Sequence, residues 1–261
     1  RSSVPKIRFS GFSDIREMPG AELIEALGDS YHHVGLDDTI VVTRSNKRAN
    51  IFNQGIRNMV LDREEELESG DMLMIVKNNY YWMEEERKKI KERQLSEERK
   101  VKSGKFNTLA NHTVQSNEVS SHEIPAFLAN GDRAKVMKVS RRIELYGFHF
   151  ATLLLKFPDY DNYELEATVL LDTLTSEASA LTHDQQEQLF HKIEEDYQDI
   201  PLKADRMKAI RQDPYFNALQ VKFAYAVTCH KAQGGQWSHV YVDQGYMTDD
   251  MLTPDYIHWL Y

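Results

Sequence analysis

Short apolar runs alternate with polar segments of helical spacing along this chain, and the alternation itself predicts an architecture. Residues 39–43 (Thr-Ile-Val-Val-Thr) are a continuous β-branched run of strand length. Directly after it, Ala49, Phe52, Ile56, Met59 and Val60 recur at helical intervals. Ahead of that pair, 7–9 is a short strand candidate, and 20–27 puts Leu23, Ile24 and Leu27 on one helical face. Strand, helix, strand, helix in this order predicts an α/β unit with a parallel sheet flanked by helices. Two further apolar runs, 223–227 and 240–242, predict two more buried strands of that sheet. Between them lie Thr228, His230, Lys231 and Gln233, polar donors placed where a strand ends. The carboxyl edge of parallel strands is where open α/β sheets bind ligands. Gly234-Gly235 lets the backbone come close to one. Read as a strand, this segment also puts Thr228 and His230 on one face.

The middle of the chain has a different pattern. Residues 71–77, 134–139, 149–157 and 164–171 read as short strands, and Asn130-Gly131 is a hairpin signal. Several short strands joined by tight turns predict a small antiparallel barrel inserted into the α/β unit. Two stretches interrupt it. Residues 83–100 are highly charged, with Glu84/Lys88 and Glu85/Lys89 at i,i+4 spacing, which predicts a solvated helix. Residues 103–121 are polar and predict a loop. Tyr80, Tyr81 and Trp82 admit two roles, stacking on nucleic-acid bases or covering a small core. Helices follow at 181–197, where Thr182 and Gln185 have capping-box spacing, and at 203–210. Thr253 and Pro254 begin a last one.

Composition narrows the class. With 41% hydrophobic and 28% charged residues the chain is an ordinary soluble globular protein. No apolar run reaches the length of a membrane span and the first residues lack a signal-peptide core, so a cytoplasmic protein without a membrane partner is expected. A single cysteine, Cys229, excludes an internal disulfide, and the histidines do not combine with it in a zinc-binding spacing. The net charge of −9 argues against a surface that attracts nucleic acid everywhere. Acidic residues concentrate at 64–68, 84–86 and 192–199, which leaves the 222–243 stretch near neutral or basic. A phosphate cradle of the Gly-x-x-x-x-Gly-Lys-Ser/Thr type is missing. Gly104-Lys105 precedes Phe106, and Arg99 stands where the first glycine belongs.

The spelling Tyr225-Ala-Val-Thr-Cys-His-Lys-Ala-Gln-Gly234, followed by Trp237 and then a strand, resembles motif V of superfamily 1 DNA helicases. The resemblance is to the RecD-like and Dda-like branch, with its UvrD-like C-terminal domain. Gln236 stands where that family usually carries Glu. Thr43-Arg-Ser-Asn-x-x-Ala49 is similar to motif IV, and Asn78-Asn-Tyr80 with Ala129-Asn-Gly-Asp132 resembles the family's inserted SH3-like domain. Residues 84–123 depart from it, since a short connection is usual there.

The resemblance implies a second RecA-like motor domain at 1–68 and 213–261, an SH3-like barrel at 69–172 and a helical connection at 173–212. It implies that Arg44 reaches the γ-phosphate of ATP as the catalytic arginine, and that Gly235 and Gln236 lie near the nucleotide. Thr228, His230, Lys231 and Gln233, with Asn79 and Tyr80 of the barrel, would hold single-stranded DNA. The cofactors implied are ATP and Mg²⁺, bound mainly by an N-terminal RecA-like domain of the same polypeptide, which is the second expected partner beside DNA. The absent cradle and the end of the chain at Trp-Leu-Tyr261, where motif VI would begin, imply a fragment that hydrolyses no ATP alone. The rival reading is a non-catalytic nucleic-acid-binding or protein-docking module that keeps the fold without the motor.

Overall fold

The computed structural model describes residues 9–102 and 124–243. The chain divides into two compact units, one formed by 1–65 with 224–261 and the other by 66–223. The strand expected at 7–9 falls mainly outside the described residues, and Phe9 is in no strand. The loop expected at 103–121 and the helix expected to start at Thr253 also lie outside them.

The first unit begins with a 3₁₀ turn, Gly20–Glu22, that runs into α1 (Leu23–His33). Strand β1 (Thr39–Thr43) follows, then α2 (Asn46–Gly55). β1 is central because its apolar run is shielded from solvent: Ile40 and Val41 are buried. Helix α2 continues as a π-helical turn over Ile56–Val60, with Leu61 N–H donating to Ile56 O at 3.0 Å. That wider turn breaks the 3.6-residue periodicity read from the sequence. Met59 therefore stands 66% exposed, while Arg57 is buried and donates through Nη2 to Glu65 O at 2.6 Å.

The second unit holds a closed barrel of five strands: β2 (Met72–Ile75), β3 (Arg133–Leu145), β4 (Phe148–Phe157), β5 (Tyr163–Leu170) and β6 (Leu219–Phe223). Alternation fills it, with Leu153, Leu155 and Phe157 of β4 facing inward and fully buried beside Leu73, Ile75 and Val221. Helix α3 (Tyr81–Lys102) interrupts the barrel sequence as the charge pattern predicts. Its ion pairs form at i,i+3, Glu85 with Lys88 and Glu86 with Lys89, rather than at i,i+4.

The barrel is mixed, not wholly antiparallel. β5 and β6 pair in parallel, because α4 (His183–Asp196) and α5 (Lys203–Arg211) lie between them and return the chain in the same direction. Thr182 caps α4 in a full capping box with Gln185. Leu189, Ile193 and Ile210 of these helices pack with Phe148 and Phe150 in a core beside the β3–β4 ribbon. That ribbon turns at Tyr146-Gly147, both with positive φ (60° and 77°), as a two-residue hairpin requires. Asn130-Gly131 does not join two full strands. It links the isolated bridge Asn79–Leu128 to β3, and its carboxylate neighbour Asp132 accepts from Ala129 N–H at 2.6 Å.

The apolar run 223–227 is divided between the units. Phe223 ends β6 opposite Leu73, whereas β7 (Ala226–Thr228) pairs with β1. A single helical turn, α6 (Cys229–Ala232), follows, then β8 (His239–Val242). The sheet order is β7-β1-β8, all parallel.

Candidate functional site

Because the three strands run parallel and in register, their carboxyl ends deliver side chains to one edge. Thr43 lies opposite Thr228, and Val42 lies opposite Val242. The residues that leave the sheet at that edge are therefore Arg44, Cys229 and Asp243. Arg44 and Ser45 form the turn into α2, and Ser45 Oγ accepts from Arg48 N–H at 3.2 Å as the N-cap. The α2 amide ends thus open on the same edge, where anionic groups are favoured.

The turn is held to its neighbours. Thr43 Oγ1 donates to Val227 O at 3.3 Å and to Ser45 O at 3.1 Å, and Cys229 Sγ donates to Thr43 O at 3.3 Å. On the other side Arg48 grips Asp243 with two parallel bonds, Nε to Oδ2 at 2.8 Å and Nη2 to Oδ1 at 2.7 Å. The bond to Asp243 raises the pKa of the guanidinium further above its ordinary value. The outer edge of β7 is closed by the buried Asn53 amide, which donates to Ala226 O at 2.9 Å and accepts from Ala226 N–H at 2.7 Å.

Thr228 is the last residue of β7 and the N-cap position of α6, with extended backbone (φ −77°, ψ 155°). The shared strand face expected for Thr228 and His230 is not formed, because His230 already belongs to the helical turn. Strand alternation stops at Thr228, and two helical steps turn side chains through about 200°. His230 and Gln233 are exposed, and Lys231 is half-buried. Burial pulls the Lys231 pKa below its ordinary value. Gly234 has φ +84°, a conformation that favours glycine.

Gly235 is required for a different reason, the Trp237 indole. A Cβ on Gly235 would lie 2.1 Å from Cη2 and 2.5 Å from Cζ3 of that ring. Gly235→Ala is therefore expected to displace the indole and rearrange the exposed Gln233–Gln236 turn. The Trp237 indole resonance should shift in a ¹H–¹⁵N spectrum while that of Trp82, in the barrel unit, stays in place. An unmoved Trp237 signal would show that the ring does not rest on Gly235.

Asn79 and Tyr80 belong to the barrel unit and have unlike environments. The Asn79 side chain is committed to the fold, donating to Asn217 O at 2.9 Å and accepting from Trp82 N–H at 3.2 Å. Trp82 is buried with Nε1 donating to Asn217 O, and the Tyr81 hydroxyl donates to Gln212 O, so these two aromatics serve the fold. Tyr80 is 54% exposed and stacks on Phe127, with ring centroids 4.7 Å apart. Phe127 was not legible as a site residue, because nothing local in the sequence brings it to Tyr80. The same holds for Asp243, which lies 195 positions from Arg48.

Residues 223–261 match the model of the UvrD-like helicase C-terminal domain. The C-terminal segment of this chain is thus similar to a helicase domain, and the match takes in β7, α6 and β8. No curated protein matches the chain. Among the described residues, no helix is long and apolar enough to cross a membrane.

Proposed function

We propose that this chain is the second motor domain and SH3-like insert of a RecD-like helicase that couples ATP hydrolysis to movement along single-stranded DNA and to duplex unwinding. The observation that carries the reading is the common sheet edge at which Arg44 and the Thr228–Gln233 segment emerge from adjacent parallel strands. A phosphate-binding residue and a DNA-binding segment on one rigid edge can respond to each other.

In this reading ATP with Mg²⁺ supplies the transferable phosphoryl group, held mainly by an N-terminal RecA-like domain. Arg44 adds a fixed positive charge, planar and able to bind two oxygens at once, where negative charge develops. Gly235 and Gln236 lie toward the nucleotide. Thr228, His230, Lys231 and Gln233 grip DNA phosphates, and Tyr80 on Phe127 offers an aromatic face that tolerates any base. Asn79 acts indirectly: its amide is occupied by Asn217 O and Trp82 N–H, while its backbone bridge to Leu128 brings Tyr80 beside Phe127. Closure and reopening of the two motor domains around the nucleotide then shift the grip on the strand.

The test compares the chain alone with the polypeptide in which it is joined to a domain carrying the phosphate cradle. The joined protein is expected to hydrolyse ATP faster when single-stranded oligonucleotide is added, and the chain alone to have no turnover. Oligonucleotide binding without any stimulated hydrolysis in the joined protein would favour the non-catalytic binding module instead.

A further inference from the structure

We propose that Arg48 and Asp243 are a positioning pair that sets the β1–α2 turn, and with it Arg44, at the sheet edge. The inference rests on Arg44 being the γ-phosphate residue.

Arg44 sits in a turn between two fixed points, Thr43 at the end of β1 and the N-cap Ser45. On the β7 side the turn is tied by Thr43 Oγ1 to Val227 O and by Cys229 Sγ to Thr43 O. On the β8 side Arg48 provides the tie. Its backbone N–H reaches the cap, Ser45 Oγ, and its guanidinium forks onto the Asp243 carboxylate at 2.8 and 2.7 Å. The Phe52 ring lies one turn further along α2, with its centroid 5.2 Å from Arg48 Cζ. Asp243 is itself fixed, because its N–H donates to Val42 O at 2.8 Å. Two parallel bonds define orientation as well as distance, which a single contact or a lysine would not do.

A role in stability alone does not account for this arrangement. The Arg48 side chain is 39% exposed and that of Asp243 14%, so whatever the fork contributes to folding comes with a fixed orientation that a stabilising contact would not need. The body of α2 is already anchored by the buried Asn53 on β7. What the pair adds is a fixed place for the first turn of α2. Displacing a catalytic group by about 1 Å can cost about 10²-fold in rate.

Two measurements test the pair. In the 261-residue chain without nucleotide, Asp243→Asn is expected to speed amide hydrogen exchange at 45–49 about tenfold, with the β7 amides unchanged. In the joined, ATP-hydrolysing protein, Arg48→Lys and Asp243→Asn should each lower DNA-stimulated kcat about ten- to hundredfold with little change in KM for ATP. The double variant should be no worse than either single one, since both break the same contact. Unchanged exchange, unchanged kcat, or losses that multiply in the double variant would each overturn the inference. Arg44→Ala separates the two levels. If it slows hydrolysis while the pair variants do not, only the positioning role fails. If it has no effect, the γ-phosphate reading fails and the positioning role with it.

Discussion

Replacing Arg44 by alanine in the joined protein is expected to slow ATP hydrolysis about 10³- to 10⁵-fold while leaving nucleotide binding nearly intact. The size follows from what the guanidinium does. A phosphoryl group in transfer spreads negative charge over its oxygens, and catalysis consists largely of pre-placed positive charge. Arg44 leaves the central strand of the sheet at the α2 N-terminus, and the turn that carries it is bonded to β7 and β8. In the proposed motor its backbone is therefore already in place when the domains close, which limits the reorganisation needed at the moment of reaction. In the proposed motor ground-state binding rests mainly on the cradle of the other domain, so KM should move little and kcat should fall. Arg44→Lys keeps the charge but loses the two-pronged geometry, and should recover only part of the rate. Single-turnover hydrolysis with a separate nucleotide-binding measurement checks this. A loss smaller than about tenfold would make Arg44 an ordinary surface residue.

Lys231→Ala should weaken single-stranded DNA binding about tenfold at low salt, equally for all sequences, and reduce the salt dependence of log K by about 0.7. Phosphate contacts carry no base information, which is why the loss should not depend on sequence. Thr228→Val, which removes a hydroxyl and no charge, should weaken binding and leave the salt slope nearly unchanged, and His230→Ala should weaken binding equally for all sequences. Lys231 adds a pH signature. Burial lowers its pKa, so it loses its proton at lower pH than an exposed lysine would. Affinity should therefore decline as pH rises through that lowered pKa, and Lys231→Ala should abolish the decline. Titrations of labelled oligonucleotide at several salt concentrations and pH values decide it. Unchanged affinity in all three variants would return 228–236 to the role of a packed Gly-rich turn.

Much of the scaffold was legible because its causes are local. The β-branched run 39–43 makes a strand wherever it is buried, and the helical spacing of Ala49, Phe52 and Ile56 yields α2 after it. Thr182 and Gln185 close their capping box by the same short-range chemistry, and the charge pattern of 83–100 yields α3. The motif spelling 225–234 pointed to a helicase-like segment, and the family match at 223–261 agrees with that likeness.

Only the tertiary structure decided matters that depend on residues far apart or on backbone hydrogen-bonding partners. The run 223–227 is equally apolar throughout, yet Phe223 belongs to the barrel and Ala226 to the sheet, because their partners are Leu73 and Val41. Thr228 and His230 have the spacing of a strand face, but α6 begins between them. Met59 keeps a helical interval that the π-turn cancels, so solvent takes Met59 and the interior takes Arg57. The barrel closes in parallel only because α4 and α5 bring the chain back to β5 in its own direction. Arg48 meets Asp243 across 195 positions, and no periodicity reaches that far. Residue type and spacing set what each segment can form; the choice among those forms was made by which strand or helix the rest of the chain brought alongside.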